Sequence, residues 1–485
     1  MKSLKFNAFL NIVRSILGYI FPLITFPYSS RILQPQGLGK VNFAFSIVSY
    51  FTMIGGLGIT TYATREAAKR RDDKQSLNQL SREILTINLA STIVAYILLA
   101  VTLLFVTKLY EYRPLLIVCS SSILFTTLGM EWLYSANEEY TYITVRSIIF
   151  QIISLILLFS IVRKNTDYIQ YAIVCISASV GSNILNFFNS RKFISFKGTT
   201  RGNLKQHLKP IFILFAYSLA ASVFTILDTS MLGFITDDIQ VGYYSVSTKL
   251  VRLIRDMFPA VFSVFFARIV YYYSHNEIEE FNKLSRKTLL FILCFALPLT
   301  AGLCIEAKPL ILLFCGEKYL EAIPTIQILS PLILFSGISG FLGGQILISL
   351  GKEKLYLITI IIAALIDIVL NFICIPRYGA FGAATATMIS EGLILIIYLF
   401  MLQKFLKELR LVKSFIQFLF ASSFMGIVVY FVNRYFGTNI LSKLIIPTIS
   451  GIFAYALVLY ILRNDFFFEI VKTLKETIQK RIVRK

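Results

Sequence analysis

Apolar residues in this chain do not alternate with polar ones. They run for about a helix length, stop at a short polar stretch, and resume. A helix crossing a hydrocarbon core roughly 30 Å thick needs roughly 20 such residues. About fourteen stretches qualify: 8–28, 41–63, 84–107, 114–136, 140–162, 168–189, 210–235, 242–271, 287–307, 325–350, 355–375, 380–403, 412–433 and 441–462. The pattern predicts an all-α integral membrane protein, with twelve spans as the alternative if the last pair is set aside. The final segment repeats Phe467, Val471, Leu474, Ile478 and Ile482 at helical spacing between basic residues. It predicts an amphipathic helix on the inner membrane surface.

Composition agrees. The 485 residues are 56% hydrophobic and 15% charged, against about 25% charged in soluble domains. The formal net charge of +21, from 47 Lys+Arg and 26 Asp+Glu, has its origin in the loops. With the N-terminus placed inside, the cytoplasmic connections and termini hold roughly 30 of the cations and the outer connections roughly 11. That bias predicts a multi-pass membrane protein with both termini cytoplasmic. No basic domain suited to nucleic acid is present. The first apolar run reads as a retained helix rather than a cleaved leader.

Conventional catalytic chemistry is missing. The chain has no phosphate-binding loop, no dinucleotide fingerprint, no nucleophile elbow and no metal-ligand spacing. The outer connections are too short to build an enzyme domain. The six cysteines fall mostly in apolar runs and read as small buried hydrophobes. His207 and His275 lie in polar loops.

Two pairs of segments match at an offset of six spans. Ser, Glu and Tyr of "SANEEYTYI" (135–143) fall in register with "SLGKEKLYL" (349–357), and "QGLGKVNFAFS" (36–46) corresponds to "IQVGYYSVS" (239–247). A same-orientation repeat predicts two six-helix lobes around a central cavity, a recurrent transporter plan. The domains are then an N-terminal lobe at 1–190, a basic cytoplasmic linker at 191–209 and a C-terminal lobe at 210–403. Spans thirteen and fourteen occupy 404–463, and the amphipathic tail 464–485.

The unusual chemistry is charge inside the spans. Lys249, Arg252 and Arg255 lie about 12, 17 and 21 Å into the eighth span, on one face. A cation in hydrocarbon is costly. The trio therefore has three readings: a wet cavity for a polyanion, ion pairs of purely architectural role, or an exposed amphipathic segment with the membrane part starting near Met257. Asp256, four residues past Arg252, could pair with it. Arg14 lies inside the first span, and Arg146 near the inner end of the fifth, where it snorkels or pairs with Glu138 or Glu139. The acids inside spans are Asp228, Glu131, Asp367 and Glu391. They are candidates to pair with the cations, Asp228 above all, or to couple transport to a H+ or Na+ gradient. Asp367 and Asn371 share a helix face, where helix–helix bonding is the alternative role. Span ten carries "GISGFLGG" (337–344), suited equally to a broken helix and to close packing.

Four stretches then resemble the Wzx-type polysaccharide flippases of the multidrug/oligosaccharidyl-lipid/polysaccharide exporter superfamily. They are "SSRILQPQGLGKVNFAFSIVSYF" with "GLGI" (29–59), "EWLYSANEEYTYITVRSIIFQIISL" (131–155), "LDTSMLGFITDDIQVGYYSVSTKL" (227–250) and "DIVLNFICIPRYGAFGAATATMISE" (367–391). The resemblance implies a transporter without a bound cofactor, a bilobed bundle with a cationic cavity. Its substrate would be an undecaprenyl-pyrophosphate-linked oligosaccharide, moved from inner to outer leaflet. Such a flippase works among membrane lipids beside a polysaccharide polymerase and a chain-length regulator. In the family, basic residues of spans one and eight meet the lipid pyrophosphate, which here points to Arg14, Lys249, Arg252 or Arg255. The alternatives are a multidrug/cation antiporter of the same superfamily and a membrane polymerase or ligase.

Overall fold

The structure, a computed structural model, describes residues 4–195, 203–435 and 439–483. The side chains of 4–17, 19–20, 217–218, 220–225, 259–264, 474, 477–478 and 480–483 lie outside that description, and with them the predicted roles of Arg14, Leu474, Ile478 and Ile482.

The chain divides into two compact units, Met1–Ser245 and Val246–Lys485. The first contains α1 (Leu4–Gly56), α2 (Ile59–Ala68), α3 (Lys74–Phe105), α4 (Arg113–Gly129), α5 (Glu131–Ala136), α6 (Tyr140–Ile161), α7 (Tyr168–Ile176), α8 (Asn183–Asn189), α9 (Lys205–Ile235) and the start of α10 (Asp238–Arg255). The second holds the end of α10, then α11 (Met257–Ser274), α12 (Ile278–Ile305), α13 (Ala307–Phe314), α14 (Ile323–Leu329), α15 (Leu332–Phe341), α16 (Glu353–Met401), α17 (Gln403–Glu408), α18 (Val412–Tyr435), α19 (Ile440–Ile461) and α20 (Asp465–Val483). No strand occurs among the described residues.

Among those residues, ten helical stretches are long and apolar enough to cross a membrane. Two of them carry a corner. α1 turns at Gln34, whose φ of 59° is set against Pro35, and α16 turns at Gly379, with φ of 53°. Proline disfavours helical backbone in the residue before it, and glycine takes positive φ without a Cβ clash. Each corner separates two of the predicted spans. The lipid-facing sides are apolar and open, with Phe105, Phe400 and Phe453 among the most exposed side chains. In water that surface would be untenable; in hydrocarbon it is the expected exterior.

In unit 1, aromatic side chains pack where α2, α3 and α5 meet. Trp132 and Tyr134 are buried with Tyr62, Leu80 and Ile84, and Tyr134 stacks on Tyr142 with ring centroids 5.2 Å apart. In unit 2, Leu290, Leu293 and Leu297 of α12 pack with Phe418 of α18, Leu459 of α19 and Phe466 of α20. The tail is therefore docked at its start, where Glu469 also pairs with Lys287.

The offset that matches Ser135 with Ser349 also carries Met130 to Gly344. Met130, at φ 42°, breaks α4 from α5. Gly344 lies in a π-helical stretch, Leu342–Leu347, that interrupts the helix following α15. Both halves of the sequence thus interrupt a helix at the same register. In span ten a Cβ on Gly343 would strike Tyr356 and Tyr398 at 2.8 Å, so that glycine serves close packing, whereas Gly344 faces open space.

Candidate functional site

The basic trio forms the last two turns of α10. Val246, Ser247, Leu250 and Val251 are buried on the opposite side of the same turns. That burial leaves the basic edge accessible: Arg252 is exposed, and Lys249 and Arg255 are half-buried. Cations are favoured at a helix C-terminus, where carbonyl dipoles converge. The helix stops at Arg255, so the predicted eighth span is two helices, α10 and α11, meeting at Asp256. Arg255 Nε donates to Asp256 Oδ1 at 3.1 Å. The charge of Arg255 also acts on Glu391, which has Ser339 beside its carboxylate. Two of the predicted site residues, Arg255 and Glu391, are thus brought together within unit 2.

The remaining acids have separate settings. Asp367 is buried and accepts from Asn371 Nδ2 at 3.0 Å and from Ser390 Oγ at 3.2 Å. The second bond ties the two arms of α16 together. Asp228 is buried in unit 1 and accepts from Tyr244 Oη at 2.5 Å. Nearby on the same helix, Ser230 is hydrogen-bonded to Tyr50 at 2.7 Å. Glu131 meets Arg146 at 3.4 Å and lines a polar cavity of about 210 Å³ with Asn88, Thr126, Thr127 and Asn183. Arg146 departs from expectation. It is buried rather than snorkelling, and its recorded acid is Glu131, while Glu138 pairs with Arg71 at 2.9 Å. A buried guanidinium needs a partner within reach, and α5 delivers one that sequence spacing did not indicate.

Two buried acids escaped the sequence reading. His207 is not a loop side chain but 1% exposed. Its Nδ1 meets Tyr62 Oη and its Nε2 meets Glu83 Oε2, both at 2.6 Å. Gln79 donates to the other oxygen of Glu83 at 2.9 Å. Glu306, just past α12, is also buried and accepts from Thr448 at 3.1 Å. Glu83 lies one residue before a predicted span and Glu306 near the end of another. A polar residue at the edge of an apolar run was the available signal.

The stretches 36–46 and 239–247, matched as a repeat, are in contact. A Cβ on Gly39 would lie 1.7 Å from the carbonyl oxygen of Asp238, and one on Gly242 would lie 2.2 Å from that of Pro35. Each glycine admits the backbone of the other segment. Charges gather around this crossing. Tyr112 Oη donates to Asp238 Oδ1 at 2.6 Å, and Lys40 pairs with Glu111 at 3.0 Å. Burial pushes the Asp238 carboxyl above its ordinary range, with Glu111 and Asp237 adding to the effect against Tyr112 and Lys40.

Residues 4–272 match a protein family described as polysaccharide biosynthesis protein. The chain is 22% identical over 394 residues to a candidate O-antigen transporter of Escherichia coli (strain K12), covering 81% of this chain and 95% of that one. Among solved structures it is similar to the lipid II flippase MurJ in an inward closed conformation. The TM-score is 0.75 at 19% identity, over 93% of this chain and 98% of that one. It is also similar to an inward-facing multidrug resistance transporter of the MATE family, of the MOP superfamily. There the TM-score is 0.64 at 12% identity, over 80% of this chain and 94% of the other. At these identities the structural likeness establishes the fold, an all-helical membrane transporter architecture.

Proposed function

Because the chain belongs to the polysaccharide biosynthesis protein family, we propose that it is a flippase for a polyprenyl-pyrophosphate-linked oligosaccharide. It moves an O-antigen, capsule or similar repeat unit from the inner to the outer leaflet of a bacterial cytoplasmic membrane. Both termini face the cytoplasm, fourteen helices span the bilayer, and transport proceeds by alternating access.

One observation carries the substrate assignment. Three cations stand accessible along one face of α10, in the stretch the hydropathy pattern assigns to the eighth span. A pyrophosphate cannot cross hydrocarbon unaided. Arginine binds it through paired N–H donors and lysine as a point charge. Lys249, Arg252 and Arg255 hold the pyrophosphate, with Arg14 as a further candidate, while the lipid tail stays in the bilayer. A cationic cargo, as in the antiporter alternative, would be repelled from this face.

A proton or sodium gradient supplies the drive. Glu131, which faces a polar cavity and meets Arg146, is the candidate coupling acid. A polymerase and a chain-length regulator receive the product.

The decisive test is the pair Arg252→Gln with Arg255→Gln, expressed in a strain lacking its own flippase. Surface polysaccharide should fall at least tenfold, with lipid-linked repeat units retained on the inner leaflet and protein levels unchanged. Normal polysaccharide in that variant would remove the trio from the mechanism.

A further inference from the structure

A second cationic site lies in unit 2, on none of the residues of α10. At the end of α12, a cavity of about 400 Å³ is lined by Lys308, Arg434 and Lys443 together with Tyr430 and Asn433. The local fold explains the convergence. Ala307 and Ile311 are buried and hold α13 against the unit, which leaves Lys308 and Leu312 on the cavity side. Tyr430 and Arg434 are one turn apart on α18, and Ile440 and Lys443 nearly one turn apart on α19, so each pair shares a face.

No acidic residue lines this cavity. Among the described residues none of the three cations takes part in a salt bridge. Glu306, two residues from Lys308, is buried and turned to Thr448. The other three residues of the lining, besides Leu312, are Ile305, Pro309 and Ile440. Apolar side chains continue outward along α18 and α19, where Ile427, Phe431, Leu441 and Ile445 are all exposed. Interfacial lysines and arginines are commonly spread around helix ends as anchors. Here three of them face one recess that also offers an amide, a phenol and an apolar wall.

We propose that this cavity binds the phosphate of a membrane lipid. The phosphate sits among Lys308, Arg434 and Lys443, and the hydrocarbon lies along Ile305, Leu312, Ile440 and the exposed faces of α18 and α19. A phosphate suits the cradle because its several oxygens accept from guanidinium, ammonium, amide and phenol at once. The apolar lining selects an anchored phosphate over a free one. The site is independent of the transport reading, since it needs neither the trio nor a direction of transport.

The test is native mass spectrometry of the purified full-length protein in detergent, delipidated and titrated with three probes. Dioleoylphosphatidic acid carries both parts of the ligand, dioleoylglycerol only the hydrocarbon, and inorganic pyrophosphate only the anion. Phosphatidic acid should bind, and the other two should bind at least tenfold more weakly. Joint substitution Lys308→Gln, Arg434→Gln and Lys443→Gln should weaken phosphatidic acid binding on the order of 100-fold, from the worth of a basic residue at an anionic lipid surface. All three side chains are exposed, so the fold should tolerate the change; should the triple variant fail to fold, Arg434→Gln alone should cost about fivefold. A control, Lys108→Gln in unit 1, should leave binding unchanged. Undiminished binding by the folded triple variant would overturn the proposal. So would dioleoylglycerol matching phosphatidic acid, or pyrophosphate alone binding as tightly as the lipid.

Discussion

Asp238 carries a carboxyl that its surroundings favour in the neutral form. Burial is the main cause, and Glu111 and Asp237 work in the same direction. A carboxyl whose folded pKa is raised contributes most to stability below its unfolded value, and loses that contribution as pH rises through the folded value. Asp238→Asn keeps an acceptor for Tyr112 and removes the charge. It should therefore raise the melting temperature near pH 7 and leave it unchanged near pH 4, flattening the acid side of the profile. Thermal unfolding in detergent across that range checks this. An unaltered slope, or a less stable variant at neutral pH, would show that the Lys40 attraction outweighs burial. Other residues explain where sequence reading stopped. Asp367 and Asn371 share a face as their spacing indicates. The partner of Arg146 is set by a short helix after a break at Met130, and spacing alone does not say which acid a turn brings round.

At the scale of elements, long apolar runs made the helices legible, because a segment in hydrocarbon must bond its own backbone. Corners inside helices were less legible. Pro35 signals the turn at Gln34, and Pro259 lies in the first turn of α11 just past the break at Asp256, a start signal blurred by the prolines that also lie inside other helices of this chain. The crossing of the two repeat-related segments could be read only as a similarity, since a sequence match does not reveal that the matched parts touch. That crossing is testable. Gly242→Ala places a Cβ against the Pro35 carbonyl, and overpacking of this kind costs about 1–3 kcal/mol. The variant should melt at lower temperature and export less polysaccharide. Gly344→Ala, where nothing lies within 4 Å, should leave both nearly unchanged. Equal behaviour of the two variants would mean that the crossing is loose.

For the whole molecule, the balance of charges makes a topological claim. Tags at residues 1 and 485 should both be accessible to a membrane-impermeant label only after the cytoplasmic side is opened, and a tag in 163–167 should be accessible from outside. Labelling of either terminus in intact spheroplasts would reverse the orientation and, with it, the direction of transport. Fold class and the helical nature of each apolar stretch were legible at this scale, because hydropathy reports the solvent directly. On the proposed reading, Lys249, Arg252 and Arg255 point to no more of the substrate than the sign of its charge. Sugars are chosen by hydrogen bonds from side chains scattered over many helices, and no local pattern records them.

His207 is held at both ring nitrogens, Nδ1 by Tyr62 Oη and Nε2 by Glu83 Oε2. The imidazole therefore acts as a rivet through two plates, fastening the root of α9 to α2 on one edge and α3 on the other. An asparagine or glutamine is forked at a single end and could clench only one plate. Any load passing down α9 is shared between this joint and the packing of Leu208, Ile211 and Leu214 on the same cluster.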